Sequence, residues 1–239
     1  MTEIRTRAFV GMFGVLGLCA VGLTSIGCGS ESNATGKAGS TGGGGTTGGG
    51  GTTGSTCTAA TAALITDFGS GTAQVGTPYL GAQAGLTAPT VSTASGALDI
   101  TLATGAPTMM YPYAYAGLPF NACTSASTYT GVKFKASGTL NTGCTIQFST
   151  VDKAHSTMAN NGTCPVADGC YASAKIFTLP ATAEDVTVLF ADQTGGGVGG
   201  ATPAPPPVTP SEVLNVQWQF NVPTDGCTGS VKIDDVTFM

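Results

Sequence analysis

The chain has 239 residues, of which only 9% are charged, with thirteen carboxylates against eight lysines and arginines and a net charge of −5. An ordinary soluble domain carries about 25% charge; here Gly, Ser, Thr and Ala take up the difference, as in β-rich exported proteins. Both arginines, Arg5 and Arg7, stand at the very start, so the chain from Ala8 onward is acidic and arginine-free, which excludes nucleic acid as a partner and speaks against an anionic membrane surface.

Residues 1–27 read as a signal peptide. Arg5 and Arg7 form a short basic region, Ala8 to Ile26 is apolar or small, and small residues come next. Ser25-Ile26-Gly27-Cys28 resembles the lipobox of bacterial lipoproteins, with Ser25 where leucine is usual. That resemblance implies lipidation at Cys28 and a protein held in the bacterial envelope at the outer membrane; the alternative is ordinary cleavage with Cys28 left as a thiol. Residues 28–56 are nearly all Gly, Ser and Thr. Such a segment buries too little apolar surface to offset its ordering entropy, and predicts a flexible tether spanning roughly 30 Å.

Residues 57–239 are enough for one domain with a substantial core. Six cysteines remain there, Cys57, Cys123, Cys144, Cys164, Cys170 and Cys227. An even set in an exported chain implies a disulfide framework, any of fifteen pairings. Zinc is disfavoured, because no C-x-x-C pair occurs and His155 is the only histidine.

The hydrophobic pattern has period two throughout, in short runs broken by Gly, Pro, Asn and Asp, which predicts an all-β domain. Strands are expected at Leu64–Phe68, at Leu98–Leu102, and at Met110–Tyr115 with Tyr111, Tyr113 and Tyr115 on one side. Val132–Ser137, Ile146–Ser149 and Val186–Phe190 come after these, then a Gly- and Pro-rich loop from Gly195 to Pro210. In the next run Leu214, Val216, Trp218, Phe220 and Val222 face the core while Asn215, Gln217, Gln219 and Asn221 face out. The last, Val231–Phe238, carries Asp234-Asp235 within an apolar stretch, where an unpaired buried charge is costly.

Four segments carry a family resemblance across residues 62–239. They are Leu64-Ile65-Thr66-Asp67-Phe68, Tyr129 to Gly138, Pro210 to Phe220, and Ile233-Asp234-Asp235-Val236-Thr237-Phe238. In that order they resemble the galactose-binding-like jelly rolls, a group that includes many carbohydrate-binding modules. The resemblance implies a jelly-roll β-sandwich of two antiparallel sheets and a cell-surface module that binds a polysaccharide or other glycan, monomeric and non-catalytic. The expected floor is Lys133, Gln147, Gln217 and Gln219, with Asp152 and His155 at its rim and Tyr113 for stacking. Relatives that hold a structural calcium do so with acidic residues of the first and last strands, here Asp67, Asp234 and Asp235, although Gly69 stands where a further acid is usual.

Relative to these strands, Cys144 and Cys227 fall in turns at one end, Cys57 and Cys123 at the other, and Cys164 and Cys170 flank a short loop. The expected bridges are therefore 57–123, 144–227 and 164–170. Two other functions compete with glycan binding: a structural or adhesive surface protein that binds another protein, and a glycan hydrolase. The hydrolase needs two carboxylates about 5–10 Å apart, for which Asp152 with Asp168 or Asp192 are the available pairs, though no spacing requires it.

Overall fold

The computed structural model describes residues 56–69, 73–165, 170–196 and 205–239, all within the unit Thr52–Met239. The expected signal peptide, Cys28 and the tether up to residue 55 lie outside the described residues, as does Asp168. Among the described residues thirteen strands run in order: β1 (Thr58–Ala59), β2 (Leu64–Thr66), β3 (Tyr79–Ala82), β4 (Thr90–Ser92), β5 (Leu98–Ala103), β6 (Tyr113–Ser125), β7 (Gly131–Leu140), β8 (Thr145–Asp152), β9 (Ser173–Phe177), β10 (Glu184–Leu189), β11 (Gly195–Gly196), β12 (Val213–Asn221) and β13 (Thr228–Phe238).

The strands form a jelly-roll sandwich. One sheet has the order β1-β6-β12-β8-β9-β11, with β3 also on β6; the other has β10-β7-β13-β5-β4, with β2 also on β13. From β5 to β8 the chain alternates between the two sheets, and again from β12 to β13, so these connections cross the ends of the sandwich. Pairing is antiparallel as expected, except that β1 runs parallel to β6 over two residues.

The alternation of β12 works as its sequence dictates. Val216, Trp218 and Phe220 are buried inward, and Trp218 meets Phe134 and Phe148 with centroids 5.4 and 5.6 Å away. A bulge between Val213 and Asn215 resets the pattern at the start of the strand. Val213 is the buried residue there, and Leu214, expected inward, is only half-buried. A second bulge, between Asp234 and Thr237, resolves the paired carboxylates of β13. Asp235 adopts φ 48°, so both aspartates leave the core while Val236 stays buried in it.

The three expected disulfides are present, with Cα separations of 4.8 Å for Cys57–Cys123, 5.4 Å for Cys144–Cys227 and 5.7 Å for Cys164–Cys170. The first joins the chain just before β1 to β6, and the second ties the turns before β8 and β13. In an entropic account each of these two long closures stabilises by about 4–5 kcal/mol.

The outer face of the six-stranded sheet is charged. Lys133 pairs with Asp185 at 3.5 Å, Lys135 with Asp235, and Lys232 with Asp99 at 3.8 Å. These half-exposed pairs contribute little to stability, ~0–1 kcal/mol each, but they place Lys133. It stands on β7, in the sheet opposite to the one holding Gln147, Gln217 and Gln219, and cannot share a floor with them. The expected grouping is corrected accordingly. A two-residue period reports which way a side chain points from its own sheet and is silent on which sheet that is.

Candidate ligand-binding groove

Over β6 and β12 the outer face of the seven-stranded sheet carries no charged side chain. A groove of about 1070 Å³ runs across it. Its floor is Tyr113, Tyr115, Asn215, Gln217 and Gln219, and Tyr79 of β3 lies beside them. One wall is built from the 3-10 turns after β8 (Lys153–His155 and Met158–Asn160) and from Cys170–Ala172, where Tyr171 is 42% exposed.

Strand register explains the floor. Gln219 lies opposite Tyr115 on β6 and Gln147 on β8; Gln217 lies opposite Gly117 and Ser149. Tyr79 in turn faces Gly117, and Gly81 faces Tyr115. A Cβ at Gly117 would overlap the Tyr79 ring, and one at Gly81 the Tyr115 ring. Each tyrosine therefore lies over the glycine across from it. Tyr79, Tyr115 and Tyr113 form a row with centroid spacings of 5.9 and 6.2 Å, and the Tyr79 hydroxyl reaches the side chains of Asn215 and Gln217. Gly117→Ala should push Tyr79 off this seat at a cost of about 1–2 kcal/mol in thermal unfolding. A melting temperature equal to that of wild type would show that the ring is not seated on Gly117.

Of the other expected site residues, Gln217, Gln219 and Tyr113 share the floor. Gln147 belongs to the same sheet face, but it is buried between Gln219 and Ile176 and does not line the groove. Tyr111, expected in the tyrosine stripe, precedes the strand in a bend with φ 55°.

Asp152 and His155 are not an open rim. Asp152 is fully buried, and its Oδ1 accepts from the His155 backbone N–H at 3.0 Å and from His155 Nδ1 at 2.6 Å. Its Oδ2 accepts from the Thr209 backbone N–H at 2.5 Å. His155 Nε2 lies 2.8 Å from the Pro206 carbonyl, which also accepts from the Ser173 hydroxyl at 2.7 Å. Both ring nitrogens thus face groups that only accept, so the cluster is satisfied when the imidazole carries both protons. Burial alone would lower its pKa, but the hydrogen bond and charge of Asp152 and the Pro206 carbonyl outweigh burial and hold it above the ordinary histidine value. The cluster pins the proline-rich loop before β12 to the groove wall.

The expected calcium ligands Asp67, Asp234 and Asp235 each have a partner within the fold. Asp67 accepts from the Gly69 N–H, Asp234 accepts from the Asp235 N–H, and Asp235 pairs with Lys135. Calcium takes six to eight oxygens, and among the described residues no group of three His, Cys, Asp or Glu is placed to hold a metal ion.

Sequence reasoning missed Tyr79, Gly81 and Gly117. The spacing Tyr-x-Gly in β3 and again in β6 (Tyr115 to Gly117) is the available signal, since two such pairs in antiparallel register place each ring over a glycine.

No protein-family model and no curated protein matches the chain. Among solved structures it is similar to the family 11 carbohydrate-binding module of a cellulosomal cellulase of Clostridium thermocellum, at 11% identity and TM-score 0.48, covering 74% of this chain and 92% of that one. A family 11 module of the same organism, in complex with a mixed-linked β-1,3-1,4 tetrasaccharide, aligns at 12% identity and TM-score 0.47 over 74% and 94% of the two chains. A family 30 module, also from Clostridium thermocellum, aligns at 12% identity and TM-score 0.37 over 74% and 91%. These likenesses lie at the level of the sandwich and say nothing of the groove's ligand.

Proposed function

We propose that the sandwich is a non-catalytic, monomeric module that binds a glycan along the groove of its seven-stranded sheet, displayed on the cell envelope by a lipid at Cys28 and the Gly/Thr-rich tether. One observation carries the binding reading. A row of three tyrosines, two of them seated on glycines, lies beside a row of amides, Asn215, Gln217 and Gln219, on one uncharged floor. Rings of this kind cover the apolar face of a pyranose, and amides both donate to and accept from its hydroxyls. Among the described residues the groove lining contains no carboxylate. Asp152, one half of the carboxylate pair a hydrolase would need, is enclosed in its cluster. Gly27-Cys28 and the composition of residues 28–56 support the anchored display.

The test is affinity gel electrophoresis on soluble neutral polysaccharides (mixed-linkage β-glucan, xylan, galactomannan) and on polygalacturonate. At least one polymer should retard the wild type. Tyr115→Ala, and Gln217→Ala with Gln219→Ala, should each weaken retention at least several-fold with little change in melting temperature, since each neutral hydrogen bond nets about 0.5–1.5 kcal/mol. A wild type retarded by no polymer, or a double variant retarded as strongly as wild type, would overturn the reading in favour of a protein-binding surface.

A further inference from the structure

Tyr79 holds the two amides nearest the centre of the floor. Its hydroxyl lies 2.7 Å from Asn215 Oδ1 and 3.0 Å from Gln217 Oε1. A phenol has one proton and donates one hydrogen bond, so it cannot satisfy two acceptor oxygens. The shorter contact, to Asn215, takes the proton. A half-turn of the Gln217 terminal amide exchanges its oxygen and nitrogen in place, and its N–H then donates to the phenol oxygen. With both contacts satisfied, Asn215 has spent its oxygen on Tyr79 and turns its NH2 to the groove. Gln217 has spent an N–H and turns its carbonyl there.

We infer that the Tyr79 hydroxyl sets the amides of Asn215 and Gln217 in opposite senses, so that the groove offers one donor beside one acceptor and selects a neutral, hydroxyl-bearing glycan over one bearing carboxylates. This rests on the glycan-binding reading and adds to it a positioning residue and a ligand class. Asn215 and Gln217 are two apart on β12, so they project from one face with Cα atoms about 6.6 Å apart, and their amides converge on the Tyr79 hydroxyl. A sugar hydroxyl both donates and accepts, and serves at either position. A carboxylate only accepts; it suits the Asn215 NH2 and meets the Gln217 carbonyl oxygen lone pair to lone pair. Burial holds the Tyr79 hydroxyl far above the usual tyrosine range, with Tyr115 adding in the same direction, so the proton that sets the pair stays in place at neutral pH.

Tyr79→Phe tests this, because it removes the hydroxyl and keeps the ring over Gly117. Retention by the neutral polymer that retards wild type most should weaken about two- to tenfold, the loss of one neutral hydrogen bond. The wild-type preference for that polymer over polygalacturonate should shrink as well, since Gln217 is then free to turn its NH2 outward. A merely structural role for the hydroxyl would lower the melting temperature and leave that preference unchanged. Tyr129→Phe, whose ring stacks on Phe238 outside the groove, serves as control and should bind as wild type does. Tyr79→Phe binding with wild-type strength and preference would overturn the clamp while leaving glycan binding intact. A wild type that retains polygalacturonate best, with retention fading as salt is added, would overturn the ligand class. A wild type retained by no polymer removes the glycan reading and the clamp with it.

Discussion

Replacing Trp218 by alanine should lower the unfolding free energy by about 3–5 kcal/mol, one of the two largest single-site losses in the sandwich. Its indole is fully buried on β12 between Phe134 and Phe148, at the point where the two sheets face each other. Truncation to a methyl leaves a cavity that two disulfide-tied sheets cannot close by sliding together. The indole N–H adds a second expectation, because it is buried with no hydrogen-bond partner among the described residues. An unsatisfied buried donor costs ~1–3 kcal/mol, so Trp218→Phe, which keeps most of the ring volume and removes that N–H, should cost less than half as much as the alanine change. Urea unfolding followed by circular dichroism, with the disulfides oxidised, measures both; Trp218 is the only tryptophan, so its own fluorescence cannot serve. Equal losses for the two variants would show that the ring is not packed between the two phenylalanines.

The second large effect is expected at Asp152→Ala, again ~3–5 kcal/mol, because removing one partner of a buried pair strands the other. His155 N–H, His155 Nδ1 and the Thr209 N–H all lose their acceptor. The change also has a signature in pH. His155 titrates above its ordinary value of 6.5 in the folded chain, against the desolvation that opposes its charge. The stabilisation it brings is therefore complete below that ordinary value and is lost as pH rises through the higher, folded one. Wild-type stability should fall from mildly acidic toward alkaline pH, and in Asp152→Ala this fall should be much reduced. An identical pH profile in the two proteins would mean that His155 is not ionised in the fold.

Much of this architecture was legible in the residues, for a physical reason. β12 and β13 each face a core on one side, so Val216, Trp218 and Phe220 stand out by alternation, and the three disulfides fall into pairs once the turns are in place. Other features depend on partners distant in the chain. Lys133 alternates outward correctly, yet its sheet is fixed by pairing with β10 and β13, which its own sequence does not encode. Asp152 reads as a polar strand end; its burial comes from Thr209, which arrives 57 residues later. Tyr79 sits in a four-residue edge strand with no alternation to mark it, and its role depends on Gly117 across the ladder. Leu214 obeys the period and fails only at a bulge, where the period itself shifts by one.

The Cys57–Cys123 bridge has a mechanical consequence. The chain reaches the sandwich from its N-terminal side at Thr56, and one residue later it is covalently joined to the thirteen-residue strand β6. Tension applied upstream would otherwise peel β1, held by only two residues of parallel pairing, and then β2, a strand of three residues. With the bridge closed, that load bypasses both and enters β6, which is laddered to β12 from Tyr113 to Thr124. Pulled along its length, such a ladder must shear many hydrogen bonds together, whereas a peeled strand gives them up one by one. Reducing this single bond would turn a firm attachment into one that unzips from its end.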